Sequence, residues 1–249
     1  EMASIQNGIL LHGGLRTYIG SFLVFADYMK PAIRMSSMER LPAIYLFSHD
    51  SLAVGEDGPT HQPIEQLTML RTTPGVVVFR PADAIETGAA YRSALCSTDH
   101  PTCIILSRQA LKNNPESSFE GTLKGGYIVS KEEKYADLTV IATGSEVNLA
   151  VEVKKLLGKE GIDIRIVSMP SIELFLKQPK NYQEEVLKNP YEKRVFLEMG
   201  KGDCLYRFAK HVISQDSFGS SAPAADVLNK FGFTPEAIKD RIKAILNQN

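Results

Sequence analysis

No run of apolar residues in this chain approaches the ~18 needed to cross a bilayer, and its first residues lack a secretory-signal pattern. Neither sign of charge dominates: 28 Lys and Arg stand against 29 Asp and Glu, a net charge of −1. No basic stripe breaks that balance, which sets aside nucleic acid and membranes as partners. Cysteine is scarce. Cys96, Cys103 and Cys204 are odd in number and form no Cys-x-x-Cys pair. That pattern argues against a disulfide framework or structural zinc and for a reducing, cytoplasmic compartment. Internal repeats and low-complexity tracts are lacking as well.

What is present is an alternation of strand-like and helix-like runs. The 249 residues, at roughly 150 per domain, suggest about two domains, each able to hold its own core. Apolar runs at Pro42–Ser48, Val76–Phe79 and Thr102–Leu106 alternate with helical stretches over Met2–Leu11, Ser21–Met38, Pro63–Arg71 and Asp83–Ser97. Such alternation predicts an α/β unit, a mostly parallel sheet with helices on both faces. Breakers and polar residues then mark a linker over 112–125. Past it, strand runs at Leu138–Ala142, Ile162–Val167 and Arg194–Glu198 surround a helix at Glu146–Leu157 and a mixed stretch from Ile172 to Leu187. Helices at about Asp203–Ser214 and Pro235–Leu246 follow, the last with Thr234 as N-cap. The expected division is 1–111, linker 112–125 and 126–249, the last a smaller mixed-sheet α/β domain.

The densest chemistry lies in Gly55-Glu56-Asp57-Gly58-Pro59-Thr60-His61-Gln62-Pro63, between a strand and a helix. Taken alone, Asp57-Gly58-Pro59 is ordinary turn chemistry. A helix starting at Pro63 would put His61 just outside its N-terminus, where the dipole favours a neutral imidazole able to relay a proton. As a whole, the nonapeptide resembles the signature of transketolases, thiamine-diphosphate enzymes that move a two-carbon ketol unit between sugar phosphates. Phe47-Ser48-His49-Asp50-Ser51 and Ser107-Arg108-Gln109 resemble that family's histidine and arginine loops. Leu11–Tyr18 and Ser21–Met29 are similar to the segment leading into its cofactor-facing helix. Ala142-Thr143-Gly144-Ser145-Glu146, Val167–Ser171 and Phe218-Gly219-Ser220-Ser221-Ala222-Pro223 resemble its C-terminal domain. The resemblance thus covers most of the pyrimidine-binding domain and the C-terminal domain, with no counterpart of the diphosphate-binding domain.

The resemblance implies a role for each site residue. His49 and Arg108 would hold the sugar phosphate, an arrangement that bidentate arginine chemistry suits at the carboxyl ends of parallel strands. Asp57 would accept the hydroxyl next to the acceptor aldehyde, and His61 would move protons near the reactive carbon. Phe22, Phe25 and Tyr28, spaced by three, would otherwise be read as core. In the family they resemble the aromatic bed for the aminopyrimidine ring of thiamine diphosphate. Magnesium or another divalent cation would be held by the domain without a counterpart, so no residue here is assigned to metal. Homodimerisation is also implied.

The family's catalytic glutamate lies in a Glu-His-x-Met motif whose methionine aligns with Met2. Glu1 occupies the x position and is not that glutamate. A chain opening at Glu1-Met2, inside a predicted helix, is read as part of a longer protein, and alone it is expected to be inactive. Glu56 is assigned to loop order, and His12, His100 and His211 to structure or surface. The alternatives are dihydroxyacetone synthase or another enzyme of the same superfamily, and a non-catalytic module that scaffolds a dimer or forms half of a split enzyme.

Overall fold

The computed structural model describes residues 1–247, which form two α/β units, each built on its own sheet. In the first, β1 (Tyr18–Phe22), β2 (Ile44–Ser48), β3 (Val77–Phe79) and β4 (Thr102–Ile105) lie in the order β1-β2-β4-β3, every neighbouring pair parallel. Alternate residues of a strand point to opposite faces, and the core divides accordingly. Tyr45, Phe47, Val78 and Cys103 meet α1 (Met2–His12), α2 (Ala26–Met38) and α3 (Gln66–Arg71) on one face. Ile44, Val77, Phe79 and Ile104 meet α4 (Ala84–Cys96) on the other.

A short helix, α5 (Phe119–Leu123), leads to the second sheet. Its strands are β5 (Tyr127–Ser130), β6 (Leu138–Ala142), β7 (Ile164–Ser168), β8 (Arg194–Leu197) and β9 (His211–Ile213), in the order β5-β7-β6-β8-β9. Only β5 runs antiparallel to its neighbour, so the sheet is mixed. Of its helices, α6 (Ser145–Gly158), α9 (Ala224–Lys230) and α10 (Pro235–Leu246) cover one face, and α7 (Ile172–Leu176) and α8 (Lys180–Leu187) the other.

Three predicted helices are corrected. The stretch from Ser21 to Met38 is not one helix. Tyr18–Phe22 pairs with β2 from Tyr18↔Ile44 to Phe22↔Ser48, and a 3-10 turn over Leu23–Phe25 precedes α2. An aromatic every third residue suits that turn as well as an α-helix. The helix predicted from Pro63 begins at Gln66, because the Ile64 carbonyl accepts from the Lys201 amide (2.7 Å) and the Ile64 amide donates to Gln66 Oε1 (3.0 Å). His61 is therefore not beside a helix N-terminus. The third, at Asp203–Ser214, is a 3-10 turn followed by β9, whose Val212 and Ile213 complete the sheet beside β8. Strand β5 and helix α9 have no counterpart in the sequence reading.

Candidate active site

The predicted site residues gather at the carboxyl ends of the first sheet. Phe22 ends β1, His49 follows β2 and Arg108 lies on the loop after β4. A groove of about 360 Å³ opens there, lined by Ser21, Phe22, Leu46, Ser48 and Leu106.

His49 stacks on Phe22, with ring centroids 3.6 Å apart and planes 22° from parallel. Its backbone is left-handed (φ 62°), a strained choice for a non-glycine residue that turns the ring back over the strand end. Phe22 and Phe25 are stacked at 6.2 Å and 16°, and His61 stands edge-on to Phe25 at 5.5 Å and 84°. So two histidines and two phenylalanines form one cluster. Tyr28 extends the aromatic row, 6.2 Å from Phe25, but it is 84% exposed and on α2.

Burial first, then the Arg108 guanidinium, hold the His49 imidazole below its ordinary pKa, with Asp57 and Asp50 opposing. The ring is thus neutral at neutral pH. Its Nδ1 lies 3.0 Å from Ser48 Oγ, and His61 Nδ1 lies 2.9 Å from Thr60 Oγ1, so each keeps its Nε2 for a ligand. Asp57 and Arg108 are exposed and close enough to bear on His49. A guanidinium near these imidazoles can bind an anion, and a carboxylate near them can accept from a hydroxyl.

Beneath this cluster runs a buried ion network that the sequence reading did not find. Arg80, immediately after β3 and fully buried, donates from Nε (3.0 Å) and Nη2 (2.8 Å) to Asp50 Oδ2. Its Nη1 reaches Glu146 Oε1 (2.8 Å) and Thr143 Oγ1 (3.0 Å) in the second unit. Thr143 Oγ1 donates to Glu198 Oε2 (2.5 Å), and Glu198 is gripped in bidentate fashion by Arg71 at 2.6 and 2.8 Å. Burial opposes both guanidinium charges, yet their carboxylate partners hold Arg71 and Arg80 above the ordinary arginine value. Gly144 (φ 55°) is required by this packing, since a Cβ there would lie 2.8 Å from Arg80 Nε. The signal available in the sequence was position alone: an arginine directly after a strand, as with His49 and Arg108.

Two family models match the chain. The model of the transketolase pyrimidine-binding domain matches residues 1–114, and that of the transketolase-like C-terminal domain matches residues 125–234. The chain is 46% identical to the transketolase of Bacillus subtilis over 99% of its length, and 48% identical to the probable transketolase of Streptococcus pneumoniae, also over 99%. It spans only 38% and 37% of those two relatives. Among solved structures, a transketolase from Pichia stipitis in complex with sedoheptulose-7-phosphate superposes with a TM-score of 0.95. That match has 39% identity and covers 99% of this chain and 36% of that one.

Proposed function

Because this chain belongs to the transketolase family, we propose that the complete protein carries a two-carbon ketol unit from a ketose phosphate, such as xylulose 5-phosphate, to an aldose phosphate, such as ribose 5-phosphate, in the pentose phosphate pathway. The observation that supports this reading is the cluster of Phe22, Phe25, His49 and His61 at the strand ends, with Asp57 and Arg108 acting on His49. The sugar phosphate bound to the Pichia stipitis relative is in keeping with it.

When bound, thiamine diphosphate supplies the electron sink for breaking and remaking a carbon–carbon bond beside a carbonyl. The residues present fit its aminopyrimidine end: Phe22 and Phe25 are half-buried and offer stacked faces to a flat ring. Tyr28 would border that ring from α2. No residue here is proposed as a metal ligand, and Mg²⁺ or another divalent cation would be held elsewhere in the complete protein. His49 and Arg108 hold the phosphate, the neutral imidazole donating from Nε2 and the guanidinium supplying charge. Asp57 accepts the 2-hydroxyl of the aldose. His61, perpendicular to the Phe25 ring, passes a proton to or from the substrate oxygen next to the reacting carbon. Exposed apolar residues near the start of the chain, among them Ile5, Leu11 and Leu15, are in keeping with a homodimer. The three free thiols suit a cytoplasmic enzyme.

The test is Arg108→Ala in the complete protein. The phosphate is remote from the bond being broken, so the substitution should raise KM for phosphorylated acceptors while kcat changes little. The expected loss is about 2–4 kcal/mol if the contact is bidentate. Glycolaldehyde, which has no phosphate, should be handled as before. Equal damage to both acceptors would remove Arg108 from the phosphate site.

A further inference from the structure

The loop that carries Asp57 and His61 has little regular structure of its own. A 3-10 stretch over Leu52–Asp57 breaks at Gly55 (φ 79°, ψ −117°), and a turn continues towards Pro63. Much of what fixes it belongs to the second unit. Gln62 is buried, and its Nε2 donates to Gly55 O (2.9 Å) and more weakly to Leu52 O (3.4 Å) within the loop. The same amide reaches Ser220 O of the second unit at 3.1 Å. Three carbonyls around one NH2 set the amide's orientation and tie both ends of the loop to the opposite unit.

The room for that amide is made by Gly219. A Cβ there would lie 1.8 Å from Gln62 Oε1 and 2.9 Å from Leu52 Cδ2. From the other side, a Cβ on Gly55 would lie 3.1 Å from the Ala224 amide nitrogen, and one on Gly58 would lie 3.1 Å from Ser221 Cβ. Ser221 Oγ donates to the Glu56 carbonyl at 2.5 Å. Asp57 and His61 are thus suspended between contacts at Gly55, Glu56 and Gly58 and the tie at Gln62, all made to residues 219–224.

We infer that residues 219–224 of the second unit, through Gln62 and the Glu56 carbonyl, are a positioning element for acceptor recognition, setting where Asp57 meets the 2-hydroxyl of the aldehyde. The inference rests on the reading of Asp57 given above. A carboxylate discriminates through a hydrogen bond that is lost within about an ångström of displacement, and Asp57 itself is exposed. The accuracy of its placement therefore comes from the backbone beneath it.

The experiment uses the complete enzyme with glycolaldehyde, which has the 2-hydroxyl, and acetaldehyde, which lacks it. In Gln62→Met, which keeps the length and removes the donors, the ratio of kcat/KM for the two aldehydes should fall roughly tenfold. Gly219→Ala, which displaces the same amide from the other unit, should do likewise. The KM for a phosphorylated donor should hold, since Arg108 lies on the loop after β4 and His49 directly follows β2, ahead of the segment that Gln62 ties. Adding Asp57→Ala to Gln62→Met should lower the ratio no further than Asp57→Ala alone. If Asp57→Ala lowers the ratio and Gln62→Met and Gly219→Ala keep it, with only thermal stability or overall rate reduced, the positioning role is overturned. If Asp57→Ala itself keeps the ratio, the Asp57 reading fails and this inference fails with it. Should Gln62→Met or Gly219→Ala not fold, the exposed Ser221 provides the check: Ser221→Ala must lower the ratio and Ser221→Thr must keep it. An unchanged ratio in Ser221→Ala then overturns the proposal.

Discussion

At the scale of single residues, Glu86 is a buried carboxyl whose titration reaches into the working pH range. It is fully buried on α4 and accepts from Ser168 Oγ (2.5 Å), the Ala82 amide (2.7 Å) and Tyr127 OH (2.8 Å). Burial pushes its pKa up to about 7, against the pull of those donors. Between the unfolded value near ~4.3 and 7, the folded chain keeps a proton that the unfolded chain releases. Stability therefore falls as pH rises through that window and is level above it. Glu86→Gln cannot ionise and should remove this slope, giving a chain on the order of 3 kcal/mol more stable than the parent at pH 8 and similar to it near pH 4.5. Denaturant unfolding across that range checks it; parallel curves would show that Glu86 is ionised throughout. The grouping of His49, Asp57, His61 and Arg108 could be read in the sequence because each sits inside a contiguous motif beside a strand. Gln62 and Arg80 could not be read, since their meaning depends on Ser220 and Glu146, 158 and 66 positions away.

At the scale of elements, α4 shows how one capping residue reaches past its own helix. Asp83 Oδ1 accepts from the Ile85 and Glu86 amides (both 3.0 Å), while Oδ2 takes the Asn114 amide (3.0 Å) and Ser117 Oγ (2.5 Å). The cap therefore also pins the connection between the two units. Asp83→Ala should cost about 1–2 kcal/mol through the lost cap and should speed proteolytic cleavage between residues 107 and 118. Loss of stability without faster cleavage would confine Asp83 to its helix. The strands at Leu138–Ala142 and Val77–Phe79 were legible because they are short apolar runs with turn residues around them. β1 was not, because Gly20 and Ser21 interrupt its apolar pattern and the aromatic spacing from Phe22 onward mimics a helix. β9 was hidden for another reason: only three residues long, it owes its form to β8 beside it.

At the scale of the whole molecule, the two units are joined by charge as well as by apolar packing. Arg71 and Arg80 of the first face Glu146 and Glu198 of the second, and all four are buried or nearly so. Removing one partner of such a group strands the others, at about 3–5 kcal/mol. The parent chain should accordingly unfold in one calorimetric transition, and Arg80→Met should split it into two as the units part. A single transition at lower temperature would mean that the remaining contacts, the Arg71–Glu198 pair and the apolar packing, suffice to couple them. A different consequence follows from how closely the units meet at two glycines, Gly55 against the backbone of 222–224 and Gly219 against the side chains of Gln62 and Leu52. Evolution by shuffling of modules is restricted at this joint. A chimaera that takes residues 1–114 from one relative and the remainder from another should keep its acceptor preference only if the parents agree at 52–62 and 218–224. The boundary that looks like a natural crossover point in the chain is thus a poor one in space, and the two halves must be inherited together.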